Sequence, residues 1–64
     1  MFVKLTNASK ERLGETLILN SSVILSVFPF TIIQDENIKS VVYGGNHGTW
    51  EVKETIEEIE TLLL

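Results

Sequence analysis

The feature that most constrains this chain is a change of hydrophobic period near its end. Up to Val52 the apolar residues alternate at the two-residue spacing of strands or run together in short blocks. From there Val52, Ile56, Ile59 and Leu63 recur at helical spacing, with Leu62 beside them. One switch of period predicts an α+β chain: a curved antiparallel β-meander of four to five strands, followed by a single C-terminal amphipathic helix. The division falls at residues 1–52 and 53–64 of one domain. Thr55 with Glu58 three residues on is a capping-box pair, so the helix is expected to start between Lys53 and Thr55. Glu54, Glu57 and Glu58 then lie in or near its first turn, where the helix dipole favours negative charge.

The strands follow from the same pattern. Phe2 to Thr6 alternates, with Val3 and Leu5 on one face. A polar loop from Asn7 to Glu15, with Gly14, leads into a second strand over Thr16 to Leu19. Asn20-Ser21-Ser22 is a turn, because these side chains hydrogen-bond their own backbone. Val23 to Phe28 is apolar on both faces, Val23, Leu25 and Val27 pointing one way and Ile24 and Phe28 the other. Pro29 cannot donate to a central ladder and marks a bulge, a bend or an edge. Phe30 to Ile33 continues extended, and Gln34 to Asn37 is a polar turn. Ile38 to Tyr43 is again apolar on both sides. Gly44-Gly45-Asn46-His47-Gly48 closes a hairpin onto Thr49 to Val52, with Trp50 and Val52 inward.

One helix covers one face of such a sheet. The second face is closed either by curling into a small barrel or by another subunit or partner, and the second is favoured. Size argues the same way. Sixty-four residues bury only about 60% of the surface exposed by the unfolded chain. Small domains lean on disulfides, metals or self-association, and there is no cysteine and only one histidine.

The composition also narrows function. The net charge is −4, and the five basic residues, Lys4, Lys10, Arg12, Lys39 and Lys53, are scattered. A nucleic-acid binder presents a basic face, so direct binding to DNA or RNA is disfavoured. The apolar stretch Val23 to Ile33 is too short to span a bilayer and is interrupted by Ser26, Pro29 and Thr31. Met1-Phe2-Val3-Lys4 lacks the apolar core of a secretory signal. Asn7-Ala8-Ser9 and Asn20-Ser21-Ser22, which match the glycosylation sequon, therefore read as turns, and a cytoplasmic location is expected.

No constellation of catalytic residues is legible, and the chain reads as a non-enzyme with no cofactor and no metal. His47 is the only candidate base, and no nucleophile or orienting acid accompanies it. Ser9, Ser21, Ser22, Ser26 and Ser40 lack a nucleophile-elbow context. The glycine loop lacks the lysine and following helix of a phosphate loop. Asp35 and Glu36 are two adjacent acids, where a Ca²⁺ loop needs several spaced oxygens. Glu51, Glu54, Glu57, Glu58 and Glu60 hold five of the nine acids. They read as a solvated helix face or as a docking surface for a basic partner. Trp50 reads as core. Phe28, Phe30 and Ile32, with Glu57 and Glu58 on the helix, are the residues expected at a partner or oligomer interface.

The run Trp50-Glu51-Val52-Lys53-Glu54-Thr55-Ile56-Glu57-Glu58-Ile59, preceded by a strand and glycine turn, resembles the ending of the FlbD-like flagellar and swarming motility proteins. Similar small proteins occur in bacteriophages. Leu19-Asn20 followed by Val23-Ile24 and Ser26-Val27 is similar to that family's Asn-x-x-x-Ile-x-x-Val stretch. The resemblance implies a small accessory or regulatory protein. Its expected partners are a second copy of itself, an unidentified protein, or both, in a bacterial cytoplasm or that of a phage's host. The alternative is a phage-type inhibitor whose acidic helix competes for a nucleic-acid-binding surface on a host protein.

Overall fold

The computed structural model describes residues 1–31 and 36–64. Within them the chain forms β1 (Phe2–Thr6), β2 (Thr16–Asn20), β3 (Ser26–Pro29), β4 (Ser40–Tyr43), β5 (Thr49–Val52) and α1 (Ile56–Leu63). This is the α+β architecture that the change of period predicts, with all strand pairs antiparallel. The strands divide into a hairpin, β1–β2, and a three-stranded meander in the order β3–β4–β5.

The division is made at the turn after β2. Asn20 Oδ1 accepts the Ser22 N–H at 3.1 Å and the Ser22 hydroxyl at 3.0 Å, which sets a short 3₁₀ turn over Ser21–Val23. The expected strand from Val23 therefore begins only at Ser26. The Leu25 N–H bonds the Tyr43 carbonyl at 2.9 Å, although Tyr43 is in register with Ser26. Two residues facing one make a bulge, and a bulge reverses the parity of the side chains beyond it. Ile24 and Val27 consequently pack on the core while Leu25 is 67% exposed, so the expected grouping of Leu25 with Val27 on one face does not hold. The continuation over Ile32 and Ile33, and half of the turn Gln34 to Asn37, lie outside the described residues.

The hairpin and the meander meet along one short seam. Asn7 bridges Val52 in antiparallel fashion, the Lys53 N–H bonds the Thr6 carbonyl at 3.0 Å, and the Ala8 N–H bonds the Glu51 carbonyl at 2.9 Å. Through this bridge the end of β1 lies beside the end of β5, and the inner faces of both sheets bury one core. Val3, Leu5, Leu19, Val42, Val52 and Ile59 form it, flanked by Leu17, Ile24, Val27, Trp50 and Leu63. Each sheet thus covers the other's inner face and α1 contributes Ile59. In β4, Val42 is fully buried, whereas Val41 is half-buried and Tyr43 exposed on the opposite side.

The helix begins at Ile56 with Thr55 as its N-cap. Thr55 Oγ1 accepts the Glu58 N–H at 3.2 Å and Glu58 Oε1 accepts the Thr55 N–H at 3.0 Å, which completes the capping box. Val52, read into the helical stripe, belongs to β5. Glu54, expected near the helix's first turn, instead reaches across to β1. Its carboxylate accepts the Thr6 N–H and the Thr6 hydroxyl, each at 2.9 Å. The hydroxyl of the fully buried Ser40 donates to the Glu54 carbonyl at 2.8 Å. Glu54 therefore ties together β1, β4 and the approach to α1.

Four substitutions measure these contacts. Ile59→Ala is expected to cost about 2–5 kcal/mol, comparable with the roughly 3–5 kcal/mol available to a core of this size. Leu62→Ala, at an exposed position, should stay within about 1 kcal/mol. Glu54→Ala leaves the half-buried Thr6 N–H without an acceptor and should cost about 1–3 kcal/mol. Glu54→Gln should recover most of that loss, because the Thr6 hydroxyl can accept from the new amide. Urea unfolding followed by circular dichroism reads all four.

Candidate interaction surface

Among the described residues, those weighed for chemistry are not brought together. His47 is exposed at the end of a 3₁₀ turn over Gly45–His47, its own N–H bonded to the Gly44 carbonyl at 3.0 Å. Gly45 and Gly48 take positive φ, 60° and 125°, as a tight hairpin connection requires. Gly44 has an ordinary φ and is constrained by space: a Cβ there would lie 2.7 Å from the Trp50 ring and 2.9 Å from the Val23 carbonyl oxygen. Trp50, half-buried against the core, thus roofs the glycine loop. Asp35 lies outside the described residues, and among those described no group of three or more His, Asp or Glu is placed to hold a metal ion.

The outer face of the three-stranded sheet is different in character. Register aligns Ser26, Tyr43 and Thr49 in one row and Phe28, Val41 and Glu51 in the next. These side chains all point away from the core, because successive residues of a strand alternate. Phe28 is 52% and Tyr43 43% exposed, with Val41 half-buried between strands. Of the interface residues expected from sequence, Phe28 therefore stands on this exposed face, on its edge strand beside Val41. Phe30 is half-buried just beyond β3, its N–H bonded to the Lys39 carbonyl at 3.0 Å. Ile32 lies outside the described residues. Tyr43 and Val41 were not singled out in the sequence, although their shared parity with Phe28 follows once the register is known.

β3 is an edge strand, as Pro29 implies. Since Phe30 donates toward β4, alternation directs the ring nitrogen of Pro29 away from it. The missing N–H costs the sheet nothing there, and it interrupts the free edge against addition of another strand.

The acidic helix divides into occupied and free carboxylates. Glu58 is engaged in the capping box, so its role is first of all structural. Glu57 and Glu60 are exposed, and the only ion pair among the described residues is Arg12–Glu15, at 3.5 Å. An apolar groove of about 270 Å³ runs beside the helix, lined by Val27, Ile56, Ile59, Glu60, Leu63 and Leu64. No helix among the described residues is long and apolar enough to cross a membrane.

No family model matches the chain, and neither a curated protein nor a solved structure does.

The contact between Trp50 and the glycine loop can be tested directly. Gly44→Ala should destabilise the fold by about 1–3 kcal/mol, since the added methyl meets ring and backbone atoms. Urea unfolding, with the tryptophan emission of the folded state as a second reading, checks it.

Proposed function

We propose that this chain is a small, non-enzymatic interaction protein that self-associates and docks a protein partner on the outer face of the β3–β4–β5 sheet. The observation that carries this reading is that Phe28, its neighbour Val41 and Tyr43 share a face of the sheet that, among the described residues, the core and helix leave open. Aromatic residues grouped in this way are the usual anchors of protein interfaces. The resemblance of the second half of the chain to the FlbD-like proteins supports an accessory or regulatory role, in a bacterial cytoplasm or that of a phage's host. A second reading takes the free carboxylates of Glu57 and Glu60 as its support. In it the acidic helix occupies a basic, nucleic-acid-binding surface on another protein.

Capture from a bacterial lysate on the immobilised chain, repeated at low salt and at about 0.5 M salt, separates the two, because ionic contacts are screened at high ionic strength. Under the first reading the captured protein survives high salt, is lost with Phe28→Ser and is retained with Glu57→Gln/Glu60→Gln. Loss at high salt together with loss in the glutamine variant would favour the second and overturn the first.

A further inference from the structure

Among the described residues, the hairpin leaves one strand edge, that of β2, without a partner strand. Two bonds fix its phase: the Ser21 N–H donates to the Met1 carbonyl and the Asn7 N–H to the Glu15 carbonyl, both at 2.8 Å. In an antiparallel ladder the inward-bonding residues recur at every second position. Glu15, Leu17, Leu19 and Ser21 therefore bond toward β1, while the N–H and C=O groups of Thr16, Ile18 and Asn20 face outward. All three of these residues are exposed. β2 has no proline, no bulge and no charged residue along its length, which are the features that normally keep edges from pairing. β3, by contrast, is interrupted by Pro29.

We infer that the edge of β2 is where a second copy of this chain binds, the two β2 strands pairing antiparallel about a two-fold axis at Ile18. This rests on the self-association in the proposed function and names its interface. Only this register uses every outward group: Thr16 faces the other copy's Asn20, Ile18 faces Ile18, and Asn20 faces Thr16. Three such pairs exchange about six backbone hydrogen bonds. The side chains match as well as the backbone. The 61%-exposed Ile18 meets its own copy on the outer face, on which the 71%-exposed Phe2 also lies, while Leu17 faces Leu19 on the inner face. Every facing pair is apolar with apolar or polar with polar.

Charge allows the approach that the rest of the molecule opposes. Within residues 1–31, Lys4, Lys10 and Arg12 stand against Glu11 and Glu15, so this half is nearly neutral. The excess acid lies in the other half, where seven acids stand against Lys39 and Lys53. Pairing through β2 puts no charged residue opposite a like one. The two copies of Lys4, across from Ile18 in register, would be separated by three strand spacings, about 14 Å, beyond the screening length of about 8 Å at physiological salt. A seam of one strand pair lies at the small end of protein interfaces, so the dimer is expected to be reversible and concentration-dependent.

Analytical ultracentrifugation of the whole chain over a range of concentrations, combined with amide hydrogen exchange, tests this. The wild type should show a reversible dimer, and Ile18→Lys should raise its dissociation constant about tenfold or more, since each copy then places a charge at the axis. Phe28→Ser should leave the dimer intact. In the wild type, the amides of Thr16, Ile18 and Asn20 should gain protection as concentration rises, while the outward amide of Val27 should not. The exchange reading does not depend on any variant folding. A dimer whose β2 amides gain no protection, or one dissociated by Phe28→Ser and untouched by Ile18→Lys, overturns the β2 interface while leaving self-association standing. A strict monomer at every concentration overturns both.

Discussion

Everything in this fold depends on the short seam where the end of β1 meets the end of β5. Neither the hairpin nor the meander can bury its own inner face, because a sheet's apolar face must pack against another element. The bridge between Asn7 and Val52, with its flanking bonds from Lys53 to Thr6 and from Ala8 to Glu51, turns the two inner faces toward one another. Val3, Leu5 and Leu19 from one side and Val42 and Val52 from the other then share a single interior, which Ile59 completes. The Glu54 carboxylate locks the same corner by accepting both donors of Thr6.

That arrangement also decides what is left over. With the inner faces committed to each other, the apolar residues in excess can only stand outside: Phe28 and Tyr43 on one sheet, Ile18 and Phe2 on the other. These are two separate surfaces with different physical characters. The first is a side-chain patch on the face of a sheet whose edge is interrupted by proline. The second is a backbone edge with a hydrophobic side chain at its centre. Under the proposed function, the chain would use both surfaces to join to itself and to a different protein without the two contacts competing for the same residues.

Much of the local structure was legible in the sequence. The inner-face pair Val3 and Leu5, the turn at Asn20, the glycine hairpin and the capping box between Thr55 and Glu58 all rest on interactions within a few residues of chain. That Pro29 marks a bulge, a bend or an edge was legible for a related reason, because it cannot donate to a central ladder. The parity of Val23 to Val27 was not legible. The 3₁₀ turn consumes Val23 and a bulge opposite Tyr43 shifts Leu25, and neither leaves a mark in the hydrophobic pattern. Glu54 misled for the opposite reason, since its place beside a helix start offered a local role that a distant threonine claimed instead.

By itself, the sequence determined the class of fold, the helix and its cap, and the absence of any cysteine from which a disulfide or thiolate metal site might be built. Tertiary structure alone decided that the strands form two sheets, that Glu54 bonds Thr6 forty-eight residues away, and which edges and faces stay open. The reason is physical. Local elements depend on neighbours that the chain itself supplies, whereas the pairing of β1 with β5 exists only because two apolar faces need one another.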